Sequence, residues 1–120
     1  GSGEWIQVDL DPAIELSEIE VWNGYQSSEK SHQANGKVTA MDVLVYTHGP
    51  QGYRWNGGES FELGDAMGSQ RLSFPRPTTA ARIRLTIRRA ASGTKWDDVL
   101  ISEIKLHGPD GPVVLRVESD

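Results

Sequence analysis

The chain has 120 residues, of which 17 are acidic and 12 basic, giving a formal net charge of −5, and it contains no cysteine. A chain of this length forms one domain that buries roughly two-thirds of the surface exposed by its unfolded form, without needing a disulfide or a metal. The negative charge argues against nucleic acid or an anionic membrane as the main partner, because both attract a positive field. No apolar run approaches the ~20 residues of a transmembrane helix, so membrane insertion is not expected, and no signal peptide is visible.

Short stretches of alternating apolar and polar residues follow one another along the chain and predict β-strands. Thirteen glycines and six prolines interrupt them, which favours many turns and few helices. The predicted strands cover 4–10, 17–22, 38–47, 61–63, 72–74, 81–88 and 99–107, with one more at 113–117. The polar segment 23–37 is predicted to be a loop, and turns are expected at 11–14, 48–58 and 75–80.

Strands at roughly ten-residue spacing, with no helical period and no internal repeat, are typical of an antiparallel β-sandwich or jelly roll. We therefore predict an all-β fold that forms a single domain over residues 1–120. If successive strands run antiparallel, the loops 23–37, 64–69 and 90–98 emerge at one end of the sandwich, beside Glu4. The turns that alternate with these loops emerge at the opposite end, so polar loops far apart in sequence are expected to converge.

The converging loops hold the residues that we expect to contact a ligand. Tyr25 offers a flat ring with a hydroxyl tip, and amide and charged side chains offer directional hydrogen bonds. The predicted ligand-binding residues are Tyr25, Gln26, Lys30, His32, Asn35, Lys95, Trp96 and Asp97. The residues expected to form a structural polar cluster are Glu4, Asn23, Asp98 and Glu103.

Both loops also allow another interpretation. In the first loop, Asn23 and Gly24 could shape a turn rather than bind. In the second, Lys95, Asp98 and Glu103 could form either a partly buried ion cluster or a ligand-facing site.

Metal binding and catalysis find little support in the sequence. Asp97 and Asp98, with Asp65 on a neighbouring loop, could hold Ca²⁺, but the D-x-D-x-D-G spacing of a calcium loop is absent and no cofactor is predicted. The three histidines lie on different predicted elements, and no serine stands in a G-x-S-x-G context. No glycine-rich phosphate loop connects a strand to a helix. We therefore predict that the chain is not an enzyme.

Aromatic and basic side chains also occur outside the loops. Tyr53 and Trp55 form a second aromatic pair, for which a cross-strand role in stabilising a hairpin is expected, with a secondary binding surface as the alternative. The arginines of strand 81–88 are expected to be solvated or paired with Glu18 and Glu20, not to line a nucleic-acid groove.

A series of short motifs resembles one known family. The motifs are Gly3-Glu4-Trp5-Ile6, Asn23-Gly24-Tyr25, Lys30, Asn35, Leu63-x-Asp65-x-Met67-Gly68-x-Gln70 and Gly93-x-Lys95-Trp96-Asp97-Asp98-x-x-Ile101-Ser102-Glu103-Ile104. In order and spacing they resemble the NADase-type glycan-binding (translocation) domain of bacterial NAD glycohydrolase toxins, which is discoidin-like and galactose-binding-like. The resemblance covers residues 3–107 and leaves 108–120 as a C-terminal extension.

The resemblance implies a jelly roll without catalytic activity, acting as an extracellular or cell-surface module of a larger bacterial protein. The family pattern places its loop-end residues at Glu4, Asn23, Tyr25, Lys30, Asn35, Lys95, Asp98 and Glu103. The main prediction is glycan binding through the loop end. The alternative is a protein-interaction or delivery module accessory to a toxin or enzyme domain, docking through the same loops or through an open sheet edge.

One departure from the family pattern concerns the first strand, since such domains begin several tens of residues before the Gly-Glu-Trp motif. This strand is either absent, supplied by a partner chain or second copy, or replaced by the segment 113–117. Trp5 lies on an otherwise polar face of its strand, as expected if the segment that would cover it is absent. An unpaired sheet edge would favour strand addition or dimerisation.

Overall fold

A computed structural model describes residues 3–24, 26–92 and 101–116, with only the backbone of residues 102 and 116. The elements in these ranges are β1 (Trp5–Asn23), α1 (Glu29–Ala34), β2 (Lys37–Gly49), β3 (Gly52–Glu62), β4 (Ser69–Ala91), β5 (Ile101–His107) and β6 (Val113–Arg116). Neighbouring strands pair antiparallel in the order β3-β2-β4-β1-β5-β6. The predicted all-β sandwich is therefore confirmed. In the same ranges, no helix has the length and apolar character needed to span a membrane.

The two longest strands, β1 and β4, are shared by both layers of the sandwich. They pair with each other from Trp5 opposite Thr86 to Trp22 opposite Ser69. The first part of β1 and the second half of β4 continue through β2 into β3, whereas the remaining halves continue through β5 into β6.

The turns predicted at 11–14 and 75–80 are wrong, because both segments lie inside the long strands. Pro12 falls within the register shift between Asp9 and Ile14, and the prolines at 75 and 77 fall within the shift opposite Leu16 and Glu18. A proline cannot donate to a strand ladder, so it is tolerated where the ladder is interrupted. These interruptions bend the strands without ending them.

The core lies between the inward faces of the two layers. Its fully buried members include Leu16, Ile19, Val21, Val38, Met41, Val43, Val45, Ile104 and Leu106. Ile83 and Leu85 alternate with outward-facing arginines, as the sequence pattern predicts. Ala80 and Ala81 break this alternation because both are buried, and they stand where β4 leaves one layer for the other.

Ion pairs line the outer faces of both layers. The arginines of strand 81–88 do not pair with Glu18 and Glu20 as considered above, because the register places other carboxylates beside them. Arg82 pairs with Asp9 and Arg88 with Asp42. Glu18 and Glu20 instead contact Arg71, and His107 Nε2 lies 2.9 Å from Glu20 Oε1.

The cluster formed by Glu18, Glu20, Arg71 and His107 predicts that the free energy of unfolding depends on pH. Hydrogen bonding from Arg71 lowers the pKa of Glu18, and hydrogen bonding from Ser69 lowers the pKa of Glu20. A carboxyl whose pKa is lower in the folded state stabilises it above the unfolded pKa, and this contribution is lost as pH falls through the folded pKa. We expect the free energy of unfolding to decrease as pH is lowered from ~5 to ~3, across the range of unfolded glutamates.

Chemical denaturation at a series of pH values measures this decrease. The double variant Glu18→Gln/Glu20→Gln should lose stability less steeply over the same pH range than the parent chain does. An unchanged slope in the double variant would assign the acid sensitivity to other groups.

Candidate functional site

The loops 24–36 and 63–68 meet at one end of the sandwich, as predicted from the alternating directions of successive strands. His32 Nε2 lies 2.5 Å from the carbonyl oxygen of Asp65, and the amide of Gly68 donates to Gln26 Oε1 at 3.0 Å. The flanks of segment 93–100 begin at the same end, since residue 91 pairs with 37 and residue 24 bridges to 101. We call this surface, formed by 24–36 and 63–68, the loop end.

Asn23 fixes the base of the loop end from inside the protein. Its side chain is fully buried and forms two hydrogen bonds with Val38, accepting from the amide at 3.0 Å and donating to the carbonyl at 2.7 Å. It also donates to the carbonyl of Gly64 at 3.3 Å. One side-chain amide thus connects β1, the start of β2 and the loop 63–68.

Gly24 follows with a backbone φ of +74°, a conformation that favours glycine. A Cβ atom at this position would lie 2.9 Å from Cγ of Lys37. The chain can therefore make this tight turn only because the residue has no side chain. The interpretation of Asn23 and Gly24 as structural residues agrees with this geometry.

The first loop contains the helix α1, where the sequence predicted no element. Ser28 is its N-cap, accepting a hydrogen bond from the amide of Ser31 at 3.1 Å, and Glu29 occupies the first turn. Both features favour a helix N-terminus. Six residues are too few for a helical period to emerge, which is why the pattern alone missed it.

His32 lies on α1 but faces inward, contrary to the prediction that it contacts ligand. Its side chain is only 1% exposed. Besides the ring contact to Asp65, its carbonyl accepts a hydrogen bond from Lys37 Nζ at 2.8 Å. The sequence that precedes Lys37 is polar and does not predict that this lysine is buried.

Two further predicted ligand-binding residues hold the loops together. Gln26 donates to the carbonyl of Asn23 at 2.7 Å and accepts from Gly68, so it connects the two loops. Asn35 caps the end of α1 by donating to the carbonyl of Ser31 through both its backbone and its side-chain amide. These bonds engage the groups that would have faced a ligand.

The remaining predicted site residues divide by exposure and by position. Lys30 is exposed on α1 and Glu4 is exposed beside β1, where its carbonyl accepts from the amide of Ile87. Glu103 is half-buried on β5. The residues that lie outside the described ranges are Tyr25, Lys95, Trp96, Asp97 and Asp98. Their roles in ligand binding, ion pairing or calcium binding stay predictions.

The exposed part of the loop end is polar. Its exposed residues in the described ranges are Ser27, Ser28, Glu29, Lys30, Gln33, Gly64, Asp65 and Ala66. Within those ranges no group of three or more His, Asp or Glu side chains is close enough to hold a metal ion. The arrangement can present hydrogen-bonding groups on a surface held from below by buried polar contacts.

The antiparallel sandwich has the all-β architecture of discoidin-like (F5/8 type C) domains. Residues 1–107 match the family described as the NAD glycohydrolase translocation F5/8 type C domain, and the chain belongs to this family. The chain is also similar to the solved translocation domain of the Streptococcus pyogenes NAD⁺-glycohydrolase. That match has a TM-score of 0.63 and 19% identity and covers 90% of this chain and 89% of that one, which establishes likeness of fold. A search of curated proteins gives no match.

The buried amide of Asn23 leads to a test of how the loop end is held. Asn23→Ala leaves the backbone groups of Val38 without their partners, and an unsatisfied buried polar group costs about 1–3 kcal/mol. We expect the free energy of unfolding to fall by about that amount in chemical denaturation. Lys30→Ala, an exposed substitution on the same loop, should change it by less than ~0.5 kcal/mol. Equal effects of the two variants would contradict the assignment.

Proposed function

We propose that this domain is a non-catalytic delivery module that docks an attached toxin or enzyme domain onto its target, with the loop end as the contact surface. Membership in a family described by translocation of an NAD glycohydrolase supports this role. The similar domain from Streptococcus pyogenes is likewise described as a translocation domain, and not as the glycohydrolase itself. A module of this kind needs a surface for its target and no reaction chemistry.

The observation that carries the proposal is the construction of the loop end. Buried groups of Asn23, His32 and Lys37 tie its loops to the strands, while its polar outer residues face solvent. Loops ordered during folding lose less conformational entropy when a partner binds. The surface is therefore preorganised for recognition.

The histidines do not support an acid–base centre. His32 is buried in the loop end, His48 is exposed near the end of β2, and His107 pairs with Glu20 on the outer face of the other layer. A general base must lie within hydrogen-bond reach of the group it serves, and usually works with a neighbouring partner. Separation of these groups supports a non-enzymatic role.

Glycan binding by the same loop end is the second candidate function. The exposed polar groups of the described loops suit a ligand rich in hydroxyl groups better than an apolar protein surface. Tyr25 and Trp96 would supply aromatic faces for sugar rings. A single shallow site of this kind is expected to bind in the range of roughly millimolar to micromolar, and several copies would raise the avidity.

Binding of the fluorescently labelled chain to cultured animal cells tests the delivery role. We expect saturable binding that unlabelled chain competes away. The double variant Lys30→Glu/Asp65→Ala, which changes two exposed residues of the loop end, should bind about tenfold more weakly, as loss of key contacts does in other interfaces. Gln51→Ala, in the turn at the opposite end, is the matched control and should bind as the parent does.

Treatment of the cells then separates the two candidate partners. Loss of binding after enzymatic removal of surface glycans, but not after mild proteolysis, would identify a glycan. The reverse result would identify a protein receptor. Cell binding that equals that of an unrelated β-sandwich, or that ignores the double substitution, would refute the proposal.

A further inference from the structure

Among the described residues, the exposed aromatic side chains lie on the outer face of one layer, away from the loop end. Large hydrophobic residues that are exposed in the described ranges are Trp5 at 53%, Tyr53 at 40%, Trp55 at 62% and Val114 at 49%. The three aromatic residues lie on β1 and β3, in the same layer, whereas Val114 lies on β6. Several exposed rings on one face mark a candidate interaction surface.

Strand register arranges these rings around two arginines of β4. Trp55 is opposite Tyr46 on β2, and Tyr46 is opposite Arg82. Trp5 is opposite Thr86, two residues from Arg84 on the same face. We call the surface formed by Trp5, Tyr46, Tyr53, Trp55, Arg82 and Arg84 the aromatic face.

The two arginines differ in how their charge is matched. Arg82 stacks over the Tyr53 ring at 3.7 Å and makes a bidentate pair with Asp9, with bonds of 2.6 and 3.0 Å. Arg84 stacks over the Trp5 ring at 4.2 Å, and its Nε and Nη2 both donate to Gln7 Oε1, at 3.1 and 2.8 Å. A glutamine orients a guanidinium without neutralising it. Within the described residues Arg84 makes no salt bridge, so the aromatic face carries an oriented positive charge.

A shallow groove extends the aromatic face across β2 and β3. It is lined by Asp42, Leu44, Trp55, Gly58, Glu59 and Ser60. A Cβ on Gly58 would stand 3.3 Å from Leu44 Cδ2 and 3.8 Å from Trp55 Nε1. The missing side chain therefore leaves room beside the indole. Leu44 is opposite both Gly58 and Arg84, so the groove leads directly towards the guanidinium.

We propose that the aromatic face binds an acidic oligosaccharide, with sugar rings against Trp55 and Trp5 and a carboxylate against Arg84. Flat rings beside hydroxyl, amide and carboxylate groups match the apolar faces and hydroxyl edges of sugars. A guanidinium donates two parallel hydrogen bonds to a carboxylate. The proposal concerns a different surface from the loop end and stands whether or not the module delivers cargo.

Charge and dimensions narrow the ligand further. The face spans four neighbouring strands, about 14 Å at the usual strand spacing, which suits a short oligosaccharide better than one sugar. The net charge of −5 opposes a densely charged polyanion. A protein interface would be expected to add aliphatic residues to its core, whereas the large apolar side chains that are exposed on this face, among the described residues, are rings. A glycan with sparse carboxylates therefore fits best.

The test is a titration of the complete chain with 3′-sialyllactose and with trigalacturonic acid, using lactose as the neutral comparison. Tryptophan fluorescence and NMR chemical shifts report the affinity and the place of binding. We expect at least one acidic probe to bind with a dissociation constant of roughly millimolar or below and to shift signals of Trp5, Trp55 and Arg84. Lactose should bind several-fold more weakly.

Variants separate the two parts of the proposal. Arg84→Gln should remove the preference for the acidic probe, and Trp55→Ala should abolish binding. Trp55→Phe, which retains a ring opposite Tyr46, should preserve the fold and part of the affinity. Val114→Ala on β6, which removes an exposed apolar side chain outside the aromatic face, is the matched control and should bind as the parent does.

Several results would overturn the inference. Absence of shifts on the aromatic face at saturating concentrations of both acidic probes would refute it, as would equal affinity for lactose. Shifts confined to the loop end would place the sugar at the surface proposed for docking instead. Selective loss of a protein partner in Trp55→Ala, without any sugar binding, would identify a protein-docking surface.

Discussion

The register between β1 and β4 is the constraint on which the rest of the structure depends. The two strands pair along nearly their whole length and pass through both layers, so each layer inherits its position from the same ladder. A slip of one residue would exchange the faces of a strand. On β4 it would turn Arg82 and Arg84 into the core and expose Ile83 and Leu85. The core, the loop end and the aromatic face therefore all depend on the pairing of β1 with β4.

Local alternation predicted most of the strands but not their continuity. The alternation in 81–88 predicts a strand correctly because one face of the strand is buried, so the residue pattern follows the pattern of burial. The Asp11-Pro12 and Pro75/Pro77 segments resemble turns in sequence, since proline commonly marks a turn in a short window. In the folded chain these prolines occupy gaps in the β1–β4 ladder, and the strands resume on the other side. Only tertiary pairing distinguishes a gap from an end.

The alternating directions of successive strands predict which loops meet, but the roles of individual side chains depend on partners that are distant in the sequence. The polar loop around His32 predicts that this residue faces a ligand, yet its ring contacts the carbonyl of Asp65, thirty-three positions away in the sequence. Gln26 similarly finds Gly68. Residue type indicates which bonds a side chain can form, whereas the fold decides whether the partner is a ligand or the protein. Trp5 is a comparable case, because the sequence predicts a missing covering segment for it, whereas the fold places the Arg84 guanidinium over its ring and leaves the residue 53% exposed.

The outer edge of β3, which is an edge strand of the sheet, affects the tendency of the protein to aggregate at high concentration. Asn56 donates a hydrogen bond to the carbonyl of Thr79 at 2.8 Å, and Phe61 packs edge-to-face on Phe74 with ring centroids 5.8 Å apart. The first half of β4 thus screens part of this edge. A glycine pair at 57–58 and a bulge opposite Val45 and Tyr46 also twist the edge away from a flat template. Amyloid-like stacking, which needs a flat and open margin, is accordingly disfavoured in a protein in which about three-quarters of the described residues are strand.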